Sequence, residues 1–385
     1  LRQVVGWLFW RYLPHETKIE MDAMVEGAQL HWPELKFNRY DLAFINSLID
    51  IVGVLKPVRS DILEPTGSRL LKFLGLDWLK SNCSSFAAWG PRTEGGKTFQ
   101  TRNVDVPPGM GLERFPLVVV CKPAGKIPYV SAAFVGMTGV FTGLNAYGVG
   151  LGQIWAFSKK TNVGVPWQIQ MKEVFSQAAS AKQAVEILRE SGRRTYGNNF
   201  VIADASGQGY AVETTPKHFD VFTADDPKEE SALWRGAPYG IRLRHAVFRA
   251  DVALSPEIRS YQNASNGPHG DPRTAGAYLK RYKGQSDRLI ALEKEGILIG
   301  RKEAEIISRE CAIRKGSLQT AVYANTDRDL WVSYAEIRAD GTVQQAYEGA
   351  YRFIPFSMYL QTIEFDATRK IQIKSWIPGR YPTRE

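Results

Sequence analysis

"NCSSFAAWGPRTEGGKTFQTRNVDV", residues 82–106, decides how the rest of the chain is read. A polar approach leads to Cys83, and an apolar β-forming run follows it. "PRTEGG" is turn-rich, and "GKTFQTRNVDV" is strand-like again, so the stretch predicts two strands joined by a short connection. A hairpin of this length returns the end of its second strand beside the start of its first. That brings "RNVD", residues 102–105, close to Cys83. The open question is why one of only three cysteines stands at the head of a core strand, behind some eighty residues of other sequence.

A lone cysteine in an apolar run is ordinarily a small core hydrophobe. Cys83, Cys121 and Cys311 lie far apart and match no zinc or redox spacing, so Cys121 and Cys311 either pair or are both buried thiols. A histidine-activated thiol has no support from sequence, because none of His15, His31, His218, His245 or His269 stands in a cysteine-protease signature. Another solution needs no histidine. If the Asn82–Cys83 peptide bond is cut, Cys83 becomes N-terminal, and its α-amine, with an unperturbed pKa of about 7.7–8.0, takes the thiol proton. Nucleophile and base then reside in one residue, and everything before it is a removable leader.

Outward from this stretch the chain alternates. The opening "LRQVVGWLFWRYL" is apolar and aromatic but broken by Arg2 and Arg11, and reads as a packed or interfacial segment that allows peripheral membrane contact. Residues 14–56 read as helical: "ETKIEMDAMVEGAQL" spaces Ile19, Met21, Met24, Val25 and Leu30 helically, and "RYDLAFINSLIDIVGVL" does the same with Asp41 as N-cap. Pro57 and "EPTG" at 64–67 close that region. Short strands punctuated by glycine follow the hairpin, then two helices over 166–191. A second hairpin turns at Asp204–Gly207 and a third at Asn325–Arg328. Residues 222–270 read as loop-rich, and "AGAYLKRYKG", "QSDRLIALEKEG" and "RKEAEIISRECAI" as helices. Hairpins dominate, so the residues predict an α+β fold of antiparallel sheets covered by helices, not a doubly wound parallel sheet.

Composition bounds the function. The chain has 385 residues, 44% of them apolar, enough for a large core. A net charge of +9 is spread along the chain, which fits a solvated surface, with attraction to anionic head groups or carboxylate substrates as the sharper reading. No nucleic-acid-binding motif accompanies it. No apolar run reaches the roughly 18–20 residues of a membrane span. The first residue is Leu1, as expected either of a removed signal peptide or of a boundary set elsewhere. A secreted, periplasmic or lysosome-like compartment fits the overall reading.

The opening stretch resembles cysteine N-terminal nucleophile (Ntn) hydrolases, in particular the acyl-CoA:6-aminopenicillanic-acid acyltransferase-like group, with bile salt (choloylglycine) hydrolases and acid-ceramidase-like amidases as relatives. Those families show a cysteine, a strand, a turn and a second strand ending Arg-Asn-x-Asp, here Arg102 to Asp105. "GMTGVFTGLNAYGVGL", residues 136–151, is similar to the family's Gly-x-Asn-x-x-Gly segment, and "NNFVIADASGQGYAVE", 198–213, to its hairpin from Asp204 to Glu213. "QSDRLIALE" resembles its Ser-x-x-Arg helix, with Ser286 and Arg288, and "AVYANTDRDLWVSYAE" its penultimate hairpin.

The resemblance implies a four-layer αββα sandwich over 83–385 behind a helical leader, 1–82, retained after cleavage. It implies hydrolysis of a linear non-peptide amide through an acyl-Cys83 thioester, without cofactor or metal, on a small acyl-amide substrate. In the implied site Arg102 favours the thiolate, Asp105 holds the α-amine, the Asn145 backbone donates to the oxyanion, and Arg288 completes the pocket or holds Asp105. One place departs. The family carries a Thr-Asn pair whose amide serves the oxyanion, and "FRADVALSPE" puts Asp251 there; Asn263 or Asn266 in "YQNASNG" supplies the amide if the loop is shifted. Losing such a donor costs about 2.7–4 kcal/mol of barrier. The alternatives are an acyltransferase that passes the acyl group to an amine, and a catalytically impaired acyl- or lipid-binding homologue. Ester cleavage, as in a phospholipase, is open to the same thiol.

Overall fold

In a computed structural model the described residues are 1–55, 82–108, 111–156, 158–234, 237–261, 272–314 and 316–362. In chain order the helices are α1 (Arg2–Trp10), α2 (His15–His31), α3 (Arg39–Asn46), α4 (Leu48–Leu55), α5 (Trp167–Gln177), α6 (Ala181–Glu190), α7 (Pro256–Tyr261), α8 (Pro272–Lys294), α9 (Arg301–Cys311) and α10 (Phe356–Thr362). The strands are β1 (Asn82–Ala88), β2 (Phe99–Asp105), β3 (Pro116–Cys121), β4 (Tyr129–Phe134), β5 (Thr142–Asn145), β6 (Gly150–Trp155), β7 (Asn198–Ala203), β8 (Gly209–Thr214), β9 (Phe219–Thr223), β10 (Leu233–Trp234), β11 (Ala237–Pro238), β12 (Ala246–Arg249), β13 (Gln319–Ala324), β14 (Asp329–Tyr334), β15 (Glu336–Ile337), β16 (Val343–Gln344) and β17 (Arg352–Ile354).

Two antiparallel sheets carry the fold. One has the order β12-β1-β2-β13-β14-β17, and the other is a meander from β3 to β9. They pack face to face, with β1 and β2 over β6 and β12 over β7 and β8. Side chains of the first sheet bond backbone of the second: Gln100 Nε2 donates to Val201 O at 2.9 Å and Gln319 Nε2 to Ala132 O at 3.0 Å. Helices α8 and α9 cover the outer face of the first sheet, and α5 and α6 that of the second. This is the four-layer αββα arrangement expected. The strands of the inner layers are buried on both faces, which is why β1, β4 and β6 read as nearly unbroken apolar or small-residue runs, while β2 buries Gln100, Arg102, Asn103 and Asp105.

The predicted hairpins form at the predicted turns: β1–β2, β7–β8 and β13–β14. Four readings change. Asn38 is the N-cap of α3, with Asp41 as the reciprocal partner three residues on, so Asp41 sits inside the helix. The two helices read over 275–296 are one, α8, because no glycine or proline stops the stretch; Gly284 is carried inside the helix. The loop-rich stretch contains β12, four residues too short to show a period. In α2 Met21 and Val25 are buried, but Ile19 and Leu30 face outward. The closing signals at Pro57 and 64–67 lie outside the described residues.

Residues 1–55 are integral to the body. Phe9, Phe44, Ile51 and Val52 join the core formed by the second sheet and α5. Asn46 Nδ2 donates to Gly136 O at 2.8 Å while its Oδ1 accepts from Thr138 N at 2.8 Å. Each large apolar side chain so buried contributes about 1.5–3 kcal/mol.

Candidate active site

Pairing places the site. In the first hairpin Asn82 stands opposite Asp105 and Cys83 opposite Val104, so the end of β2 does return to the start of β1. On the other side β1 pairs with β12 in the register Ser85 to Arg249. Continued by two residues, that register brings Asp251 opposite Cys83. Ser85 lies against Gly152 of the second sheet, where even one methyl on the glycine would meet the serine hydroxyl. Cys83, two residues earlier, shares that face, and it is 2% exposed.

Two groups of charge flank this residue. On the thiol side is Arg102, wholly buried between the sheets. Its positive charge acts on the Cys83 thiol and favours the thiolate. It lies 5.5 Å from the Phe141 ring centre and 5.1 Å from that of Trp167. It donates to Phe141 O and, at 3.1 Å, to Gln153 Oε1. Among the described residues no carboxylate pairs with it, and its Nε meets no acceptor. Burial pulls its pKa down, and the neighbouring thiol opposes that. A buried cation without an acid is costly, so this one is poised for an anion.

On the nitrogen side are two carboxylates and one arginine. Asp251 Oδ1 accepts from Cys83 N at 3.1 Å. Its Oδ2 pairs with Arg281 Nη1 at 2.8 Å, and Arg281 Nη2 pairs with Asp105 Oδ2. Burial raises Asp251 to about 7 and Asp105 to about 6, against the pull of Arg281. Burial lowers Arg281, but Asp251 and Asp105 outweigh it and raise the guanidinium. The thiol itself is pushed up to about 11 by burial; Arg102 draws it down, while Asp251 and Asp105 push it further up. In the uncut chain the sulfur is therefore protonated at neutral pH.

The second sheet holds the segment that presents Asp251. Asn199 Nδ2, on β7, donates to Ala250 O at 2.9 Å and Val252 O at 3.1 Å, one carbonyl on each side of Asp251. Glu213, on β8, accepts from Leu254 N and Ser255 N, each at 2.9 Å, and pairs with Arg249 Nε at 2.8 Å. The hairpin ending in Glu213 thus carries a side chain that anchors the site.

Several sequence-derived assignments are corrected. Asp251 faces the nitrogen of Cys83, where Asp105 had been expected; Asp105 instead meets Arg281. Asn145 is consumed by its own turn. Its N–H donates to Val149 O at 3.1 Å, its Oδ1 accepts from Tyr147 N and Val149 N at 3.0 Å, and its Nδ2 donates to Phe175 O and Ala178 O. That turn lies at the Gly150 end of β6, where Gln100 packs, whereas Cys83 lies toward the Trp155 end. Arg288 is removed from the pocket: its side chain is 36% exposed and approaches Glu310 at 3.6 Å. Arg281 takes the place, seven residues or two turns earlier on the same stripe of α8. Ser286 donates to Lys283 O of its own helix at 2.8 Å. Asn263 and Asn266 lie outside the described residues, as does the side chain of Asn82. All three cysteines are free, so Cys121 and Cys311 do not pair. Among the described residues no helix is long and apolar enough to cross a membrane. Sequence reasoning missed Arg281 and Asn199; neither stands in a local motif, and only strand register and helix packing bring them to Cys83.

The model of the acyl-coenzyme A:6-aminopenicillanic acid acyl-transferase family matches residues 92–234. This is the group the motifs resemble. The match begins after Cys83 and takes in Arg102, Asp105, Asn199 and Glu213. No curated protein matches the chain significantly. Solved structures similar to it include a Caenorhabditis elegans ortholog of N-acylethanolamine-hydrolyzing acid amidase, at 12% identity and TM-score 0.44, covering 71% of this chain and 100% of that one. A mutant of the conjugated bile acid hydrolase of Clostridium perfringens is similar at 11% identity and TM-score 0.44, covering 75% and 99%. Penicillin V acylase from Agrobacterium tumefaciens is similar at 12% and 0.41, covering 68% and 84%.

Proposed function

We propose that the protein is a cysteine Ntn hydrolase that cuts a linear non-peptide amide through an acyl thioester on Cys83, after the Asn82–Cys83 bond has been cleaved. The observation that carries this is the two-sided setting of Cys83: a buried guanidinium, paired with no carboxylate among the described residues, whose charge acts on its sulfur, and a carboxylate 3.1 Å from its nitrogen. A structural core cysteine has no use for either group. In the uncut chain that nitrogen is an amide and, among the described residues, no base serves the thiol, in keeping with its raised pKa.

Cleavage follows from the same groups. The sulfur attacks the Asn82 carbonyl, the C–N bond breaks as the S–C bond forms, and the thiol proton ends on the Cys83 nitrogen. Water then hydrolyses the thioester, leaving a carboxylate on Asn82 and a free thiol and amine on Cys83. On substrate, the thiolate adds to the amide carbonyl with Arg102 beside the developing charge. The leaving amine takes a proton from the Cys83 ammonium, and water, deprotonated by the amine, releases the acid.

A second reading, transfer of the acyl group to an amine instead of water, is favoured by the description of the matching family. Product partition with and without an added amine separates the two. For the main reading the decisive measurement is intact mass and N-terminal sequencing of purified protein, with release of amine from a panel of N-acyl amides. A fragment beginning Cys-Ser-Ser-Phe is expected, and both fragment and activity disappear in Cys83→Ala. An active chain that stays whole, and is equally active as Cys83→Ala, refutes the proposal.

A further inference from the structure

We propose that in the cut chain Asp251 holds the α-ammonium group of Cys83, so that the mature nucleophile rests as a thiolate–ammonium pair and not as a neutral thiol and amine. This rests on the reading of Cys83 as a nucleophile freed by cleavage, and it assigns Asp251 a catalytic role that the family's asparagine at the corresponding place does not have.

Geometry carries the inference. The atom that becomes the α-amine already donates to Asp251 Oδ1 at 3.1 Å, and Asn199 grips the backbone on both sides of that aspartate. When the preceding bond is cut, the same nitrogen keeps its contact and becomes able to accept a proton. The S–H bond of Cys83 then breaks, its electron pair stays on sulfur, and the proton forms a third N–H bond on the nitrogen. Each charge so created appears beside an opposite one: the ammonium at Asp251, the thiolate at Arg102.

The other groups around the residue leave this balance intact. Arg281, on α8, repels the ammonium, but it is itself shared between Asp251 and Asp105. From α9 comes Cys311, whose thiol burial pushes up to about 12, so it adds no charge. Tyr196 and Tyr323 face the thiol and Arg102, and burial raises both phenols, which stay neutral. Asp50 lies beyond Tyr196. Nearest to Cys83 are thus two guanidinium groups, Arg102 and Arg281, and two carboxyl groups, Asp105 and Asp251. Burial raises Asp251 to about 7 beside an amide nitrogen, and an ammonium in the amide's place draws it down, so that both carboxyls are ionised in the cut chain. Adding one ammonium and one thiolate keeps the total even. With an amide in place of Asp251 the ammonium would have no anion of its own, and the neutral pair would be favoured.

The test follows thiolate ultraviolet absorption of the cut protein during acid titration, alongside the rate of Cys83 carboxamidomethylation by iodoacetamide read by peptide mass. Expected are one thiolate per chain retained down to about pH 6 and a modification rate nearly flat above that. A free thiol near its ordinary pKa instead changes tenfold per pH unit below about 8.5. In Asp251→Asn the thiolate is expected to titrate at least about one unit higher, with modification at about pH 6 slowed tenfold or more. If Asp251→Asn is not cut, the wild-type titration decides alone. Cut wild-type protein whose thiolate disappears with an ordinary thiol pKa overturns the ion pair while leaving the amidase reading intact. Protein with no chain beginning at Cys83 overturns both.

Discussion

At the scale of the residue, the role proposed for Arg102 sets function against stability. Its guanidinium is buried between Phe141 and Trp167 without a carboxylate, and a desolvated cation in that position costs the fold several kcal/mol on general grounds. An apolar side chain of similar length suits the aromatic surroundings better. Arg102→Met is therefore expected to melt at or above the wild-type temperature while losing about 100-fold or more in kcat/KM, measured by calorimetry and amine release on the same preparation. A variant that loses activity only in proportion to folded protein would make the arginine structural. Cys83 and Arg102 were legible in the sequence because the hairpin is short and its turn chemistry local. Asp251 was visible as a departure, but its partner was not, since that depends on a register between strands more than 160 residues apart.

At the scale of the element, the segment 250–255 matters most. It follows a strand of only four residues, and its position is set by side chains of β7 and β8. Removing the Asn199 amide leaves two buried carbonyls without a donor, at about 1–3 kcal/mol. Asn199→Ala is expected to lower urea stability by that amount and to slow appearance of the fragment starting at Cys83, because Asp251 is no longer held at the nitrogen. A time course of cleavage by mass, normalised to folded protein, separates the two effects; unchanged cleavage of the folded fraction would rule out the positioning role. Helix α8 teaches a related lesson. Arg281 and Arg288 occupy one stripe two turns apart, and amphipathic spacing cannot distinguish them. The choice is made by where the helix crosses the sheet end that carries Asp105 and Asp251.

At the scale of the whole molecule, residues 1–55 are bound to the body in part through a buried acid. Asp50, on α4, is 1% exposed; its Oδ1 accepts from Thr195 Oγ1 at 2.7 Å and from Trp167 N at 3.3 Å. Burial raises it to about 7, against those two hydrogen bonds. An acid whose folded pKa exceeds its unfolded value of about 3.9 binds more protons in the native state, so stability falls as pH rises between those values. The melting temperature is thus expected to drop by a few degrees between about pH 5 and pH 8. Asp105 and Asp251 shift in the same direction, so Asp50→Asn should flatten the dependence in part. A melting temperature that rises with pH over that range, or one whose slope Asp50→Asn leaves unchanged, would contradict this account of how α4 is held.

What the amino-acid order determined by itself was local: which runs become strands, where they turn, that hairpins outnumber crossovers, and that one cysteine opens a core strand with Arg-Asn-x-Asp returning beside it. These follow from side-chain period and turn chemistry, which act within about a dozen residues. What only the tertiary structure decided was which charges meet at that cysteine. Asp251, Arg281 and Asn199 arrive from a strand pairing, a helix crossing and a facing sheet, and such contacts leave no spacing in the chain because packing, not proximity in sequence, selects them.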